Sequence, residues 1–187
     1  EFTAPSDFTK TIEGQLFYNS TTNAFKITEF NVPGATWASG PALNTGRGNF
    51  SGVGNTTAGL VFAGFSHPPS TPYANTESYN GSTSWTEVND TNSKKLKSGG
   101  AGTSTAGFVF SGVASGPNAP LKANAETWDG TSWTEVSDLN SGRGDGAGVG
   151  IQTSASYTGG EEPSTTGKTE TWDGSAWSET GDMNTAR

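Results

Sequence analysis

The sequence predicts an all-β protein assembled from four-stranded antiparallel blades, and three observations carry that prediction. A short aromatic stretch recurs, as ESYNGSTSWTE at Glu77–Glu87, ETWDGTSWTE at Glu126–Glu135 and ETWDGSAWSE at Glu170–Glu179. A fainter copy, EFNVPGATW, occupies Glu29–Trp37. Each copy reads as a strand, a tight Asn/Asp-Gly turn and a second strand opening on tryptophan, because glycine accepts a positive φ without a Cβ clash. The second observation is spacing. Trp37, Trp85, Trp133 and Trp177 follow one another at intervals of 48, 48 and 44 residues. Seven residues after each comes an asparagine (Asn44, Asn92, Asn140, Asn184), and ten residues after each a cation (Arg47, Lys95, Arg143, Arg187). A β-patterned period of roughly 40 to 50 residues indicates propeller blades or stacked arrays. The third is composition: 27 glycines, 11% aromatic and only 15% charged residues fit a turn-rich β protein better than a disordered chain.

Taken in order, residues 1–13 are polar, lack periodicity and are expected to form an N-terminal arm or linker; residues 14–187 are expected to hold the repeats. Gly14–Ile27 (GQLFYNSTTNAFKI) reads as a hairpin of a second kind, with a polar turn. From Asn44 onward a Gly/Ser/Asn strand (RGNFSGVG) precedes an apolar strand (AGLVFAGF), and a variable loop leads into the next Trp hairpin. Four strands per repeat is the count expected of a propeller blade. About four blades are expected, three complete and one from the N-terminal segment, with closure into a ring left open. The loops SHPPSTPYAN, VASGPNAPLKAN and GEEPSTTGK fall in the same slot of successive repeats, so all are expected to project from one face.

Two resemblances attach to these residues. GQLFYNSTTNAFK resembles a segment common in bacteriophage tail-fibre and other virion structural proteins. From Glu29 to Arg187 the chain resembles kelch-type β-propellers. The resemblance lies in an apolar strand ending in Gly, an E-x-aromatic-D/N-G turn, a spaced Trp and the exit MNTAR at Met183–Arg187. Two of the three diglycine positions are Ala63-Gly64 and Ser111-Gly112; Gly159-Gly160 is the true pair. Degenerate kelch-like arrays of this composition resemble structural proteins of marine phages. The kelch resemblance implies a propeller and no particular reaction.

The residues that recur in every repeat are expected to serve the repeat. Glu77, Glu126 and Glu170 are expected to partner Arg47, Lys95 and Arg143, bridging strands or blades, in preference to forming a carboxylate ring. Trp37, Trp85, Trp133 and Trp177 are expected to pack between blades in preference to stacking on sugars. Arg143-Gly144-Asp145 is repeat chemistry, because the equivalent slots read Arg47-Gly48-Asn49 and Lys95-Leu96-Lys97. His67 is the single histidine and there are no cysteines, so neither a metal triad nor a nucleophilic triad is expected. The glycine-rich pieces lack the strand-to-helix context and Lys-Ser/Thr of a phosphate loop.

These observations predict a non-enzymatic structural protein of a virion or surface appendage, such as a phage fibre, tail or capsid decoration, with no cofactor and no metal. The alternative is a carbohydrate- or receptor-binding propeller module, in which His67, Tyr73, Asn118, Leu121, Glu161 and Glu162 on the variable loops make the contacts. Expected partners are other copies, other virion proteins or a host-surface glycan or receptor, at the virion or extracellular surface. A net charge of −8 disfavours nucleic acid. No apolar run approaches the roughly 20 residues of a membrane-spanning helix.

Overall fold

The computed structural model describes residues 16–19, 24–27, 39–66, 68, 71–114 and 119–187. The chain divides into two compact units, Glu1–Ser39 and Gly40–Arg187. In the first, β1 (Leu16–Asn19) pairs antiparallel with β2 (Ala24–Ile27), Leu16 opposite Ile27 and Tyr18 opposite Phe25. The stretch expected to complete a fourth blade, Glu29–Trp37, lies outside the described residues, as do residues 1–13.

The second unit is all β, as the repeat predicts. Its strands are β3 (Ser51–Asn55), β4 (Ala58–Phe62), β5 (Thr76–Tyr79) and β6 (Trp85–Val88), forming blade I. Blade II follows with β7 (Gly99–Gly102), β8 (Gly107–Phe110), β9 (Ala125–Trp128) and β10 (Trp133–Val136). Blade III contains β11 (Ala147–Ile151), β12 (Ser154–Thr158), β13 (Thr169–Trp172) and β14 (Trp177–Thr180). Each is a simple antiparallel meander in chain order. The first strands lie side by side, β3 against β7 and β7 against β11. No closing contact of that extent returns from β11 to β3 among the described residues.

Local chemistry sets the strand ends. In the hairpin turns Asn80, Asp129 and Asp173 accept backbone N–H bonds from the residues two and three ahead, through a single side-chain oxygen each. The following glycines, Gly81, Gly130 and Gly174, have φ of 85°, 96° and 99°. A side chain at that φ meets its own backbone, which is why glycine occupies the position. The hydrogen bonds to the exposed carboxylates of Asp129 and Asp173 hold their pKa values below the usual aspartate range.

Blade packing follows from alternation. β4 and β8 are both buried, and β8, in the blade that has a neighbour on each side, is apolar on both faces. Leu60 and Phe62 of blade I face Val109, Trp128 and Trp133 of blade II in one cluster. Phe108, Phe110 and Ala125 of blade II face Ala155, Tyr157, Trp172 and Trp177 of blade III in another. The rings meet at edge and offset angles, Phe62–Trp133 at 5.0 Å and 72° and Phe110–Trp177 at 5.0 Å and 65°. Such geometry adds about 1 kcal/mol per pair beyond area burial.

Candidate functional site

The three recurring acids are buried at the middle of the third strand of each blade, and each is held by the connection that enters that blade. Glu77 accepts the backbone N–H of Asn44 at 2.7 Å, that of Thr45 at 3.1 Å and the Arg47 guanidinium at 2.5 Å. Glu126 accepts the N–H of Asn92 at 2.6 Å, the Ser93 hydroxyl at 3.2 Å and the Lys95 ammonium at 3.1 Å. Glu170 accepts the N–H of Asn140 at 2.7 Å, the Ser141 hydroxyl at 3.5 Å and the Arg143 guanidinium at 2.6 Å. The asparagine side chains donate to the backbone carbonyls of Trp85, Trp133 and Trp177, and those of Asn92 and Asn140 donate to Glu126 and Glu170 as well. Asparagine, hydroxyl, cation, acid and tryptophan columns therefore meet in one node.

The same connections bind backward. Gly64 donates to the Lys95 carbonyl at 2.9 Å and Gly112 to the Arg143 carbonyl at 2.7 Å. The two connections between blades are thus tied to the preceding blade through backbone carbonyls and to the following one through backbone N–H groups and side chains together. Removing one partner of a buried ion pair of this kind costs about 3–5 kcal/mol, because a desolvated charge is left behind. Burial holds the Lys95 pKa below that of an ordinary lysine, against the opposing pull of Glu126. The role of the asparagine and the hydroxyl beside it is invisible to a search for catalytic residues. The pattern N-[S/T]-x-[K/R], as NTGR, NSKK, NSGR and NTAR, is the signal that marks them.

A second series runs beside the nodes. Lys97 donates its N–H to the Asn49 carbonyl and Asp145 to the Lys97 carbonyl, both at 3.0 Å. All three residues have positive φ, 48°, 58° and 60°, and Lys97 ion-pairs with Asp145 through its side chain. That hydrogen bond raises the Lys97 pKa. In the Arg-Gly-Asp tripeptide, Arg143 is fully buried on Glu170, so the motif does not present its arginine to a receptor.

The variable loops share a base. Isolated bridges link Gly48 to Phe65 and Phe65 to Pro72, Leu96 to Val113 and Val113 to Leu121, Gly144 to Glu161 and Glu161 to Thr165. Of the loop residues singled out from the sequence, Tyr73 lies under Arg47, ring centre to guanidinium carbon 5.7 Å, and Leu121 is half-buried in its bridge. Glu161 is exposed, and Glu162 takes Lys168 at 2.9 Å. His67 and Asn118 lie outside the described residues, as does Trp37. The described loop residues therefore occupy the same slot in successive repeats.

Trp128, Trp133, Trp172 and Trp177 are buried between blades, while Trp85 is only half-buried. Trp85 stacks on Tyr79 at 5.0 Å and 29°. The pair borders a shallow hollow of about 340 Å³ floored by Gly52, Gly54, Gly59 and Val61. No group of three or more metal-ligating side chains occurs among the described residues. No known protein family matches the chain, and neither does any curated protein.

Proposed function

We propose that this chain is a non-enzymatic structural protein of a virion or surface appendage, such as a phage fibre, tail or capsid decoration. One observation carries the reading. The recurring acids and cations, the side chains best suited to acid–base work, are buried in ion pairs and N–H bonds that staple one blade to the next. Titratable groups committed in this way supply rigidity and register rather than proton transfer. The likeness of the β1–β2 segment to phage fibre sequences supplies the virion setting. Mass spectrometry of purified virus particles and of the soluble fraction from the same culture tests it. Recovery of this chain in particles at a fixed ratio to the capsid protein supports the assignment; recovery only in the soluble fraction sinks it.

A second reading, a carbohydrate- or receptor-binding module, is favoured by the common loop base and by the half-exposed Tyr79–Trp85 pair beside its hollow. Ligand sites are concave and largely apolar, with few polar groups. A glycan array, repeated on a Trp85→Ala variant and on loop-swapped variants, separates the two readings. Binding lost in any of these variants favours the module; no binding by the parent chain removes it.

A further inference from the structure

We propose that Asn80 is a self-modifying site, at which the Gly81 amide displaces the side-chain amide and water leaves an aspartate in its place. Asn80-Gly81 is the one Asn-Gly pair in the sequence. Glycine has no Cβ to shield its nitrogen, so it is the least hindered nucleophile that can follow an asparagine. The turn supplies the rest. Asn80, Ser82, Thr83 and Ser84 are exposed, so water reaches the bond. The Asn80 Oδ1 accepts the N–H groups of Ser82, Thr83 and Ser84 at 3.1, 3.0 and 3.3 Å, which carries the side chain forward over the Gly81 peptide. Donors converging on one carbonyl oxygen draw charge from Cγ and hold the oxyanion that forms when a nucleophile adds there. The Thr83 and Ser84 hydroxyls stand at Nδ2, at 3.2 and 3.1 Å. A hydroxyl rotates to donate as readily as it accepts, so each can hand a proton to the leaving nitrogen.

The chemistry is a hydrolysis in two stages. The Gly81 nitrogen loses its proton and bonds to Cγ, and the Cγ–Nδ2 bond breaks with release of ammonia, leaving a cyclic imide. Water then opens the ring, so that the net change is side-chain amide plus water to carboxylate plus ammonium. Opening at the Cγ–N bond restores the main chain with aspartate at position 80. Opening at the other carbonyl gives isoaspartate, which lengthens the main chain by a methylene beside Gly81. That residue has no slack, since a Cβ on it would stand 2.2 Å from the Thr57 carbonyl oxygen and 2.8 Å from the Thr57 Cα. Aspartate, in contrast, is what the other two blades carry in this slot. Asp129 accepts the N–H groups two and three ahead at 2.8 and 2.7 Å, and Asp173 does so at 2.8 and 2.9 Å. The Ser132 hydroxyl donates to the second Asp129 oxygen at 3.2 Å. Ser84, which like Ser132 precedes the strand tryptophan, can do the same for a carboxylate at position 80. A charged acceptor makes the stronger bond to such donors, and the turn therefore selects aspartate over isoaspartate. The reaction depends on neither functional assignment.

The test is incubation of the folded 187-residue chain in heavy-oxygen water at mildly alkaline pH. Conversion is read by peptide-mapping mass spectrometry and by labelling with an isoaspartyl methyltransferase. Asn80 should convert with uptake of the label, and faster at higher pH, because the Gly81 nitrogen must lose its proton. Asn55 is the internal control. Its Oδ1 also accepts N–H groups, from Thr57 and Ala58 at 2.8 and 3.0 Å, but the residue that follows it is Thr56, with a branched Cβ. Asn55 should lag by about tenfold or more. The ratio of aspartate to isoaspartate at position 80 should be about tenfold higher in the folded chain than in urea, where the turn no longer chooses. An Asn80→Asp variant should match the urea midpoint of the parent. Conversion of Asn80 no faster than that of Asn55 overturns the proposal. The same product ratio in the folded and unfolded chain overturns it too, as does an Asn80→Asp variant less stable than the parent.

Discussion

At the scale of single residues, the repeats act as controls for one another. The Trp133 indole N–H donates to the Thr76 hydroxyl at 3.0 Å, across the blade I–II interface. The Trp177 indole N–H is buried without a partner, because Ala125 stands at the corresponding start of β9. Ala125→Thr would supply the missing acceptor, and Ala125→Val adds the same volume without one. The threonine variant should exceed the valine variant in stability by about 1 kcal/mol, the net worth of one satisfied buried donor. Urea denaturation of the pair measures the difference; equal midpoints would show that the indole has another outlet. Lys95 offers a second comparison, since Arg47 reaches Ala63 and Asn75 carbonyls in addition to its acid while Lys95 reaches only Asn124 and Glu126. Lys95→Arg should therefore be more stable, by about 1 kcal/mol at neutral pH. The pH dependence has a definite sign. The Lys95 pKa is lowered in the fold from the ordinary value of 10.5, so in the window between the two the unfolded chain binds more protons. Parent stability from this group then rises with pH through that window, whereas the arginine variant shows no such rise. Denaturation midpoints across the alkaline range, variant against parent, check it.

At the scale of elements, the inner strands are glycine-rich because they touch. A Cβ built on Gly148 of β11 would stand 2.7 Å from both the nitrogen and the oxygen of Gly100 in β7, and 2.9 Å from the Phe110 ring. Gly148→Ala must push the two blades apart and should cost about 1–3 kcal/mol. Gly181→Ala is the control, as nothing lies within 4 Å of its Cβ position. If both variants unfold at the same urea concentration, the close approach of β7 and β11 is wrong. The hairpins were legible in the sequence because their turns carry Asn-Gly or Asp-Gly between aromatics, a local signal. The partnership of acid and cation columns was legible as periodicity alone. Two features were not legible. The N–H groups of Asn44 and Thr45 that hold Glu77 are backbone atoms and leave no trace in residue type. The left-handed conformations of Asn49, Lys97 and Asp145 share a repeat slot but not a residue type, and the bonds beside them, from the Lys97 N–H to the Asn49 carbonyl and from the Asp145 N–H to the Lys97 carbonyl, are again between backbone atoms.

At the scale of the whole array, stability should be unevenly distributed. The two apolar clusters share no residue, yet blade II contributes to both, through Val109, Trp128 and Trp133 on one side and Phe108, Phe110 and Ala125 on the other. Blades I and III each contribute to one. Where each repeat touches only its neighbours, stability is the sum of repeat and interface terms, and the repeat with two interfaces opens last. Hydrogen exchange read by mass spectrometry should therefore show β8 and β9 as the slowest peptides. Among the slower-opening strands of the outer blades, β12 and β13 should exchange faster than β8 and β9 by the worth of one interface. Uniform protection across the three blades would instead mean that opening is global, as in a ring whose first and last blades are also covered. A Trp177→Ala variant sharpens the distinction. It removes the ring that meets Phe108, Phe110 and Trp172 at 5.7, 5.0 and 5.6 Å. In an array coupled only between neighbours, it should accelerate exchange in β12 and β13 strongly and in β8 less, and leave β4 and β5 at the parent rate. In a globally coupled unit all of them would accelerate together.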